Sequence, residues 1–422
     1  MSIRAGMRTE ASQAGLASLA PGPGAAREPV YGLYLHIPFC RHRCGYCDFN
    51  TYQGIQDLIP PYTQALRKEI GVLGAAGGRP PVGTVFFGGG TPSLLPLPGV
   101  RELLGAVRTC FALELEAEIT LEANPGTVTA EYLSGLRETG VNRLSFGMQS
   151  ARLQDLRLLE REHTPEDTVR SVGWARQAGF ENINLDLIYG LPSQSLSQWR
   201  ETLQAALDLQ PDHLSLYALT LERGTRLRRA VLQGRYPWPD DDQAADMYDC
   251  GGEALEAAGF AQYEISNWAR VDRRWDRPQS RVCRHNLQYW RNLPYLGLGA
   301  GAHGFAGGVR YSDLRTPSNY IRRMQEGNRR EFPLSPAAAR SEKISRDEEM
   351  RQTMWLGLRL TEEGVVDTAF ASRFGVSFFD VFAREIGNLL EDGLLEWISS
   401  EQRVRLAPRG KLLGNRVFME FV

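Results

Sequence analysis

Three of the chain's six cysteines, Cys40, Cys44 and Cys47, fall in one short CxxxCxxC stretch, and that spacing is the strongest chemical signal in the sequence. Thiolates ligate zinc or the irons of an iron–sulfur cluster. Four ligands saturate a structural zinc or a cubane; this stretch supplies three. Cys110, Cys250 and Cys283 are scattered. Unless one of them reaches the loop, one metal position stays open, and an open position is a place for chemistry. Zinc completed by His36 or His42 is the rival reading, and three buried structural thiols the bland one. Sparse, clustered cysteines without a secretory signal point to a reduced, cytoplasmic compartment and a metal rather than disulfides.

The rest of the composition narrows the classes. The 422 residues carry 48 Lys plus Arg against 50 Asp plus Glu, so no basic excess argues for nucleic acid. No apolar run is long enough for a membrane span. Residues 1–29 are rich in Ala, Gly, Ser and Pro without a sustained period. They read as a disordered tail, with an organellar transit peptide as the alternative.

The elements that must position the cysteines alternate in kind. Short β-branched and aromatic runs at Tyr31–Ile37, Val82–Phe87, Glu118–Glu122, Arg143–Phe146, Asn182–Leu187 and His213–Tyr217 are separated by helical periodicity at Pro60–Leu73, Leu97–Phe111, Ala130–Thr139, Asp167–Ala178 and Leu196–Leu209. Six strands alternating with helices predict an α/β fold with parallel pairing and right-handed crossovers, closed or open as a partial barrel. All six strands then end at one rim, where ligands bind.

The unusual residues recur at that rim. The cysteine loop follows the first strand, Gly88-Gly89-Gly90-Thr91-Pro92 the second, Glu122-Ala-Asn124-Pro125 the third and Ser145-Phe-Gly-Met-Gln149-Ser150 the fourth. Asp186 and Tyr189-Gly190-Leu191-Pro192 follow the fifth, and Thr220-Leu-Glu222 the sixth. A ligand with an amine and a carboxylate could chelate an open iron. Gly89 and Gly90, lacking Cβ, would let it approach. Glu122 and Asp186 would accept hydrogen bonds from an amine or ribose, and Gln149 and Arg161 would meet a carboxylate. A structural zinc needs none of these.

Together these motifs resemble the radical S-adenosylmethionine enzymes. The YxHIPFC opening (Tyr34, His36 to Cys40), GGGTP, ExNP, SxGxQS and DLIYGLP segments are similar to the coproporphyrinogen III oxidase-like branch, over nearly all of Tyr31–Val422. The resemblance implies a partial (β/α)6 barrel with a C-terminal, mainly helical, winged-helix-like domain. It implies a 4Fe–4S cluster on Cys40, Cys44 and Cys47. It also implies S-adenosylmethionine contacts from Tyr34, Tyr46, Gly89, Gly90, Thr91, Glu122, Gln149, Arg161, Asp186 and Thr220. The anaerobic oxidases of this branch carry a further Cys two residues after the third ligand; here that position is Phe49. The string His285-Asn286-Leu-Gln-Tyr289-Trp290 instead is similar to the branch's heme chaperones, which bind heme and pass it to acceptor hemoproteins. Respiratory enzymes are among the candidate acceptors. Oxygen-independent coproporphyrinogen oxidation is the alternative function. The oligomeric state stays open, a homodimer included.

Imidazole is a common heme ligand, and aromatic side chains pack on porphyrin faces, so His285, Tyr289 and Trp290 are heme candidates. On a helix Tyr289 falls on the face of His285. Read from the residues alone, a core histidine beside core aromatics is the favoured description; the resemblance moves the reading to heme. Arg270, Arg273, Arg274, Arg277, Arg281 and Arg284 face only Asp272 and Asp276 locally, and one or two of them would pair heme propionates. The expected organisation is a barrel over 30–230, an extension over 231–333, and a C-terminal domain over 334–422. That last part reads as helices at Asp347–Leu358, Val366–Phe374 and Phe378–Leu390, with strands at Val404–Leu406 and Arg416–Phe421, acting as a lid or docking surface.

Overall fold

The structure, a computed structural model, describes residues 29–272, 279–328 and 330–422. The tail expected over 1–29, and Arg273, Arg274 and Arg277, lie outside the described residues, apart from Pro29.

Six strands run parallel in chain order: β1 (Tyr31–Ile37), β2 (Pro81–Gly89), β3 (Ala112–Ala123), β4 (Arg143–Gln149), β5 (Ile183–Tyr189) and β6 (His213–Ala218). Between them lie α1 (Ile59–Ala76), α2 (Leu97–Cys110), α3 (Ala130–Thr139), α4 (Leu153–Leu158), α5 (Pro165–Gln177) and α6 (Leu196–Asp208). The sequence dictates the helix ends locally. Thr164 with Asp167 and Ser195 with Gln198 form capping boxes that start α5 and α6, and Gly140 in the left-handed conformation stops α3.

Alternation along the strands decides which side chains face the helices. Leu33, Leu35 and Ile37, Val85 and Phe87, Ile119 and Leu121, Leu144 and Phe146, Leu185 and Leu187, and Leu214 and Leu216 are all buried and share one core with Tyr62, Leu66, Ile70 and Leu73 of α1. Burying each such side chain contributes about 1.5–3 kcal/mol, so the layer leaves the strands little freedom. The opposite set is polar: Thr120 and Glu122, Arg143, Ser145 and Gln149, Asn184 and Asp186, Ser215 and Tyr217. A period of two therefore sends the polar set into the barrel lumen.

The sheet extends beyond the six strands. Tyr295–Leu298 (β9) pairs parallel with β1, and His303–Ala306 (β10), Val309–Asp313 (β11) and Ala338–Lys343 (β12) continue antiparallel. At the other edge Asn267–Asp272 (β8) pairs antiparallel with β6, and Phe260–Glu264 (β7) pairs with β8. The ends of this order do not pair, so the barrel is open. Three further helices matter below: α7 (Arg226–Leu232), α8 (Asp241–Ala257) and α9 (Arg284–Trp290).

The C-terminal region has its own core of Met354, Phe370, Phe378, Phe382, Ile386, Val404 and Phe421. Its helices at Arg346–Gly357, Asp367–Phe374 and Phe378–Glu391 accompany a three-stranded sheet of Val365–Val366, Arg403–Leu406 and Leu395–Ile398. The strand expected at Arg416–Phe421 is a helix, Gly414–Met419. It buries Val417, Phe418 and Phe421. That set fits a helical face, and no edge of the small sheet pairs with it.

Candidate active-site cavity

A cavity of about 470 Å³ opens where the parallel strands end. Cys40, Cys44 and Cys47 line its mouth together with Tyr46, Gly89, Gly90, Thr91, Glu122, Gln149, Arg161, Asp186 and Thr220. Residues from six separate strand ends and loops thus meet at one site. Tyr34 does not line it: its hydroxyl bonds His36 Nδ1 at 3.0 Å, and its ring stacks behind Phe86.

The cysteine loop is held from both sides. Its Gly45 N–H donates to Leu159 O, and its carbonyl accepts from Leu227 N of α7. Arg226 spans the Arg43 carbonyl and Glu160, and Glu160 also meets His42. Asn50 ties the loop's far end to Ala300 and Arg315. Thr91 Oγ1 lies 3.6 Å from Cys40 Sγ, and Arg161 Nη1 donates to Cys44 Sγ at 3.6 Å. Burial pushes the Cys40 and Cys47 thiols up, and the neighbouring sulfurs push them further. Bound iron would hold them as thiolates.

The donor geometry discriminates between metals. Among the described residues no three His, Cys, Asp or Glu side chains are gathered as closely as one metal ion requires. Around a tetrahedral zinc the sulfurs would sit within about 4 Å of one another. The three thiols line one cavity, and a cluster takes each at a different corner. His36 cannot complete a zinc site, because its Nε2 bonds the Asn50 carbonyl at 3.0 Å. His42 is turned to Glu160. Cys110, Cys250 and Cys283 line no part of the cavity. Cys250 Sγ meets Arg200 and Cys283 Sγ meets Glu118. The loop therefore has three thiols and no fourth.

The lumen is electrostatically tense. Glu122 accepts from Gly89 N at 3.0 Å, and burial, then Asp186, push its pKa up to about 8. Asp186 is also raised by burial; Asn184 and Ser145 donate to it at 2.8 and 3.0 Å. Gln149 holds a left-handed φ of 64°, and its Oε1 is buried without a partner, as is Asn124 Oδ1. Strain and orphaned acceptors in one cavity are what a bound polar ligand would relieve. Arg161 bonds Gly147 O at 2.8 Å and leaves its Nε without a partner.

One expectation is extended and one changes. Gly89 and Gly90 line the cavity, and their missing Cβ also serves chain packing. Gly89 has φ 112° and a Cβ there would meet the His36 ring at 2.4 Å; at Gly90 it would meet the Phe39 and Ile37 carbonyls at 2.7 and 2.8 Å. The heme-candidate string also points elsewhere. His285 is 1% exposed, with Nδ1 2.7 Å from Thr84 Oγ1 and Nε2 2.9 Å from Tyr289 OH. Its ring stacks on Phe86 at 5.0 Å, and burial lowers its pKa to about 3. In this geometry neither ring nitrogen is free for iron. Trp290 lies under Arg359 of the C-terminal region. Of the string only Asn286 lines the cavity. Arg281 and Arg284 sit beside Glu181 and Glu114. Among the described residues none after Asn286 lines the cavity, so the described part of the C-terminal region does not cover it in this structure.

Sequence reasoning missed Arg143, Asn184, Ser215 and Tyr217, all on the cavity wall with the rim residue Ser145. Their signal was the period-two polar alternation along three consecutive strands.

Comparisons with known proteins agree with this architecture. Residues 34–206 match the radical SAM superfamily, and residues 344–413 the HemN C-terminal domain. The heme chaperone HemW of Bacillus subtilis is 38% identical over 390 residues, 92% of this chain and 98% of that protein. HemW of Escherichia coli is 42% identical over 281 residues, 65% of this chain and 70% of its own. Among solved structures, the radical SAM coproporphyrinogen III oxidase HemN of Escherichia coli superposes with a TM-score of 0.77 at 26% identity, covering 93% of this chain and 90% of that one. Identity sustained along nearly the whole length of the Bacillus relative, on a barrel whose rim carries the three thiols, means that this chain belongs to the HemW heme-chaperone family of the radical SAM superfamily.

Proposed function

We propose that this protein is a heme chaperone that carries a 4Fe–4S cluster on Cys40, Cys44 and Cys47 and binds S-adenosylmethionine beside it. The observation that carries the reading is the trio of thiols lining one cavity together with orphaned polar groups. When bound, such a cluster supplies one electron to the sulfonium of its partner cofactor. The residues supply the rest. Arg161 is aimed between the Cys44 sulfur and the lumen, where its unpartnered Nε can meet a carboxylate. Gln149 offers an acceptor to an amine. Glu122 holds a proton at neutral pH and can share it with a ligand hydroxyl or amine. Tyr46, Thr91 and Thr220 shape the wall. Heme delivery to acceptor hemoproteins is read from the HemW relatives.

Phe49 stands where the oxidases have their further Cys. It is 65% exposed at the cavity wall and offers no thiol, which favours the chaperone over the oxidase. Anaerobic loading with iron and sulfide, hemin titration and a coproporphyrinogen turnover assay test the reading together. Hemin binding without carbon dioxide release is expected. Decarboxylation, or absence of hemin binding, contradicts it.

A further inference from the structure

Arg143 is not explained by the cluster site. It sits at the start of β4, 2% exposed, and lines the cavity floor. Its Nε is buried without a partner, and its guanidinium makes no hydrogen bond or ion pair with another described residue. A guanidinium stays charged in any protein environment; Glu118 and Asp186 act on this one only from beyond ion-pair distance, so a ligand that supplied negative charge in direct contact would stabilise it. The nearby acids are already engaged. Glu118 accepts from the backbone N–H of Arg284 and His285 and from Cys283. Asp186 is held by Asn184 and Ser145.

Asn286, the residue that α9 does turn to the lumen, lines the same cavity, and Arg143 acts on the Tyr263 hydroxyl that it bonds. The Asn286 Nδ2 bonds Tyr263 OH at 3.2 Å. A guanidinium and a carboxamide in one cavity match a carboxylate. The cavity is also rimmed by exposed aromatics: Phe49 is 65% and Tyr217 42% exposed. An apolar ring carrying carboxylate arms would satisfy both features.

We propose that Arg143 and Asn286 form a carboxylate site at the floor of the barrel, filled by a propionate of heme whose macrocycle packs against Phe49 and Tyr217. This rests on the heme reading above and specifies where the ligand's charge is met.

The test uses full-length protein loaded anaerobically with iron and sulfide, titrated with hemin and with hemin dimethyl ester, which lacks free carboxylates. Wild type is expected to prefer hemin by at least tenfold. Arg143→Gln should lose that preference while binding the ester as wild type does; Arg143→Lys should keep part of it. Equal affinity of wild type for hemin and ester overturns the site, as does an undiminished preference in Arg143→Gln. If Arg143→Gln does not fold, the wild-type comparison and Arg143→Lys decide. S-adenosylmethionine affinity is measured in parallel. If it falls while the hemin preference survives, the carboxylate belongs to the cofactor and the assignment is wrong. Wild type that binds neither porphyrin contradicts the heme reading itself.

Discussion

Replacing His285 by Ala separates a core role from a heme-ligand role. The imidazole joins β2 to α9 through Thr84 at 2.7 Å and Tyr289 at 2.9 Å. Its loss leaves the Thr84 hydroxyl, 4% exposed, without its partner, at a cost of about 1–3 kcal/mol. Tyr289 is less enclosed and can recruit water, so its share is nearer ~1 kcal/mol. The vacated ring also forfeits stacking on Phe86, about 0.5–1.5 kcal/mol. The total is about 2.5–5.5 kcal/mol, a large fraction of a typical domain's stability. Urea denaturation of the metal-free protein should therefore show a markedly lower midpoint. Hemin titration of the folded fraction should give the same absorption maximum as wild type. A variant of unchanged stability whose heme band shifts or disappears would refute the core assignment and restore His285 as a ligand.

Other perturbations follow from the same geometry. Glu122 has a folded pKa raised to about 8, against 4.5 for the free side chain, so its stabilising protonation is fully present below pH 4.5 and lost as the pH rises toward 8. Glu122→Gln should flatten that slope, up to about 1.4 kcal/mol per pH unit, stabilising the cofactor-free protein at pH 8 while weakening S-adenosylmethionine binding; thermal melts at pH 5 and 8 read it out. Gly45→Ala would place its Cβ 2.7 Å from Glu160 Oε1 and push that carboxylate off Arg226. Iron should then leave to a chelator several-fold faster, with global stability altered by less than ~1 kcal/mol. Glu69 is buried beneath the turn that anchors Asn50, accepting from Gly299 N at 2.8 Å and Tyr320 OH at 2.6 Å. Glu69→Ala should lower stability by about 3 kcal/mol, measured by the urea midpoint.

Legibility followed the strength of the local period. Most strands and helices of the barrel emerged within a few residues because long apolar stripes on α1 and β-branched runs on β2 leave little ambiguity, but β3 begins at Ala112, well before the expected Glu118, and the short α4 gave no clear period. The added strands β9 and β10 span four residues each, too few to display a period, and exist because neighbours on both sides hydrogen-bond them. The Arg416–Phe421 error has the same origin: a short apolar run does not announce its own period. At the site, residue types that carry chemistry on their own, Cys, Glu and Asp, were readable from rim position. Arg143 was not, because a lone arginine in a strand reads as solvent-facing until the lumen wraps around it. His285 was readable as a residue of interest, but its partner Thr84 is 201 positions away, and only the fold shows that the pair closes on itself.

The account turns on three protein thiolates holding a cluster whose last iron is left for the cofactor. Anaerobically loaded protein, analysed for metal and sulfide and then examined by electron paramagnetic resonance of the reduced state with and without S-adenosylmethionine carrying a nitrogen-15 amine, addresses it directly. The account predicts four irons and four sulfides per chain and a hyperfine coupling from the labelled amine. Zinc in place of iron, or a cluster signal indifferent to the labelled cofactor, would contradict it.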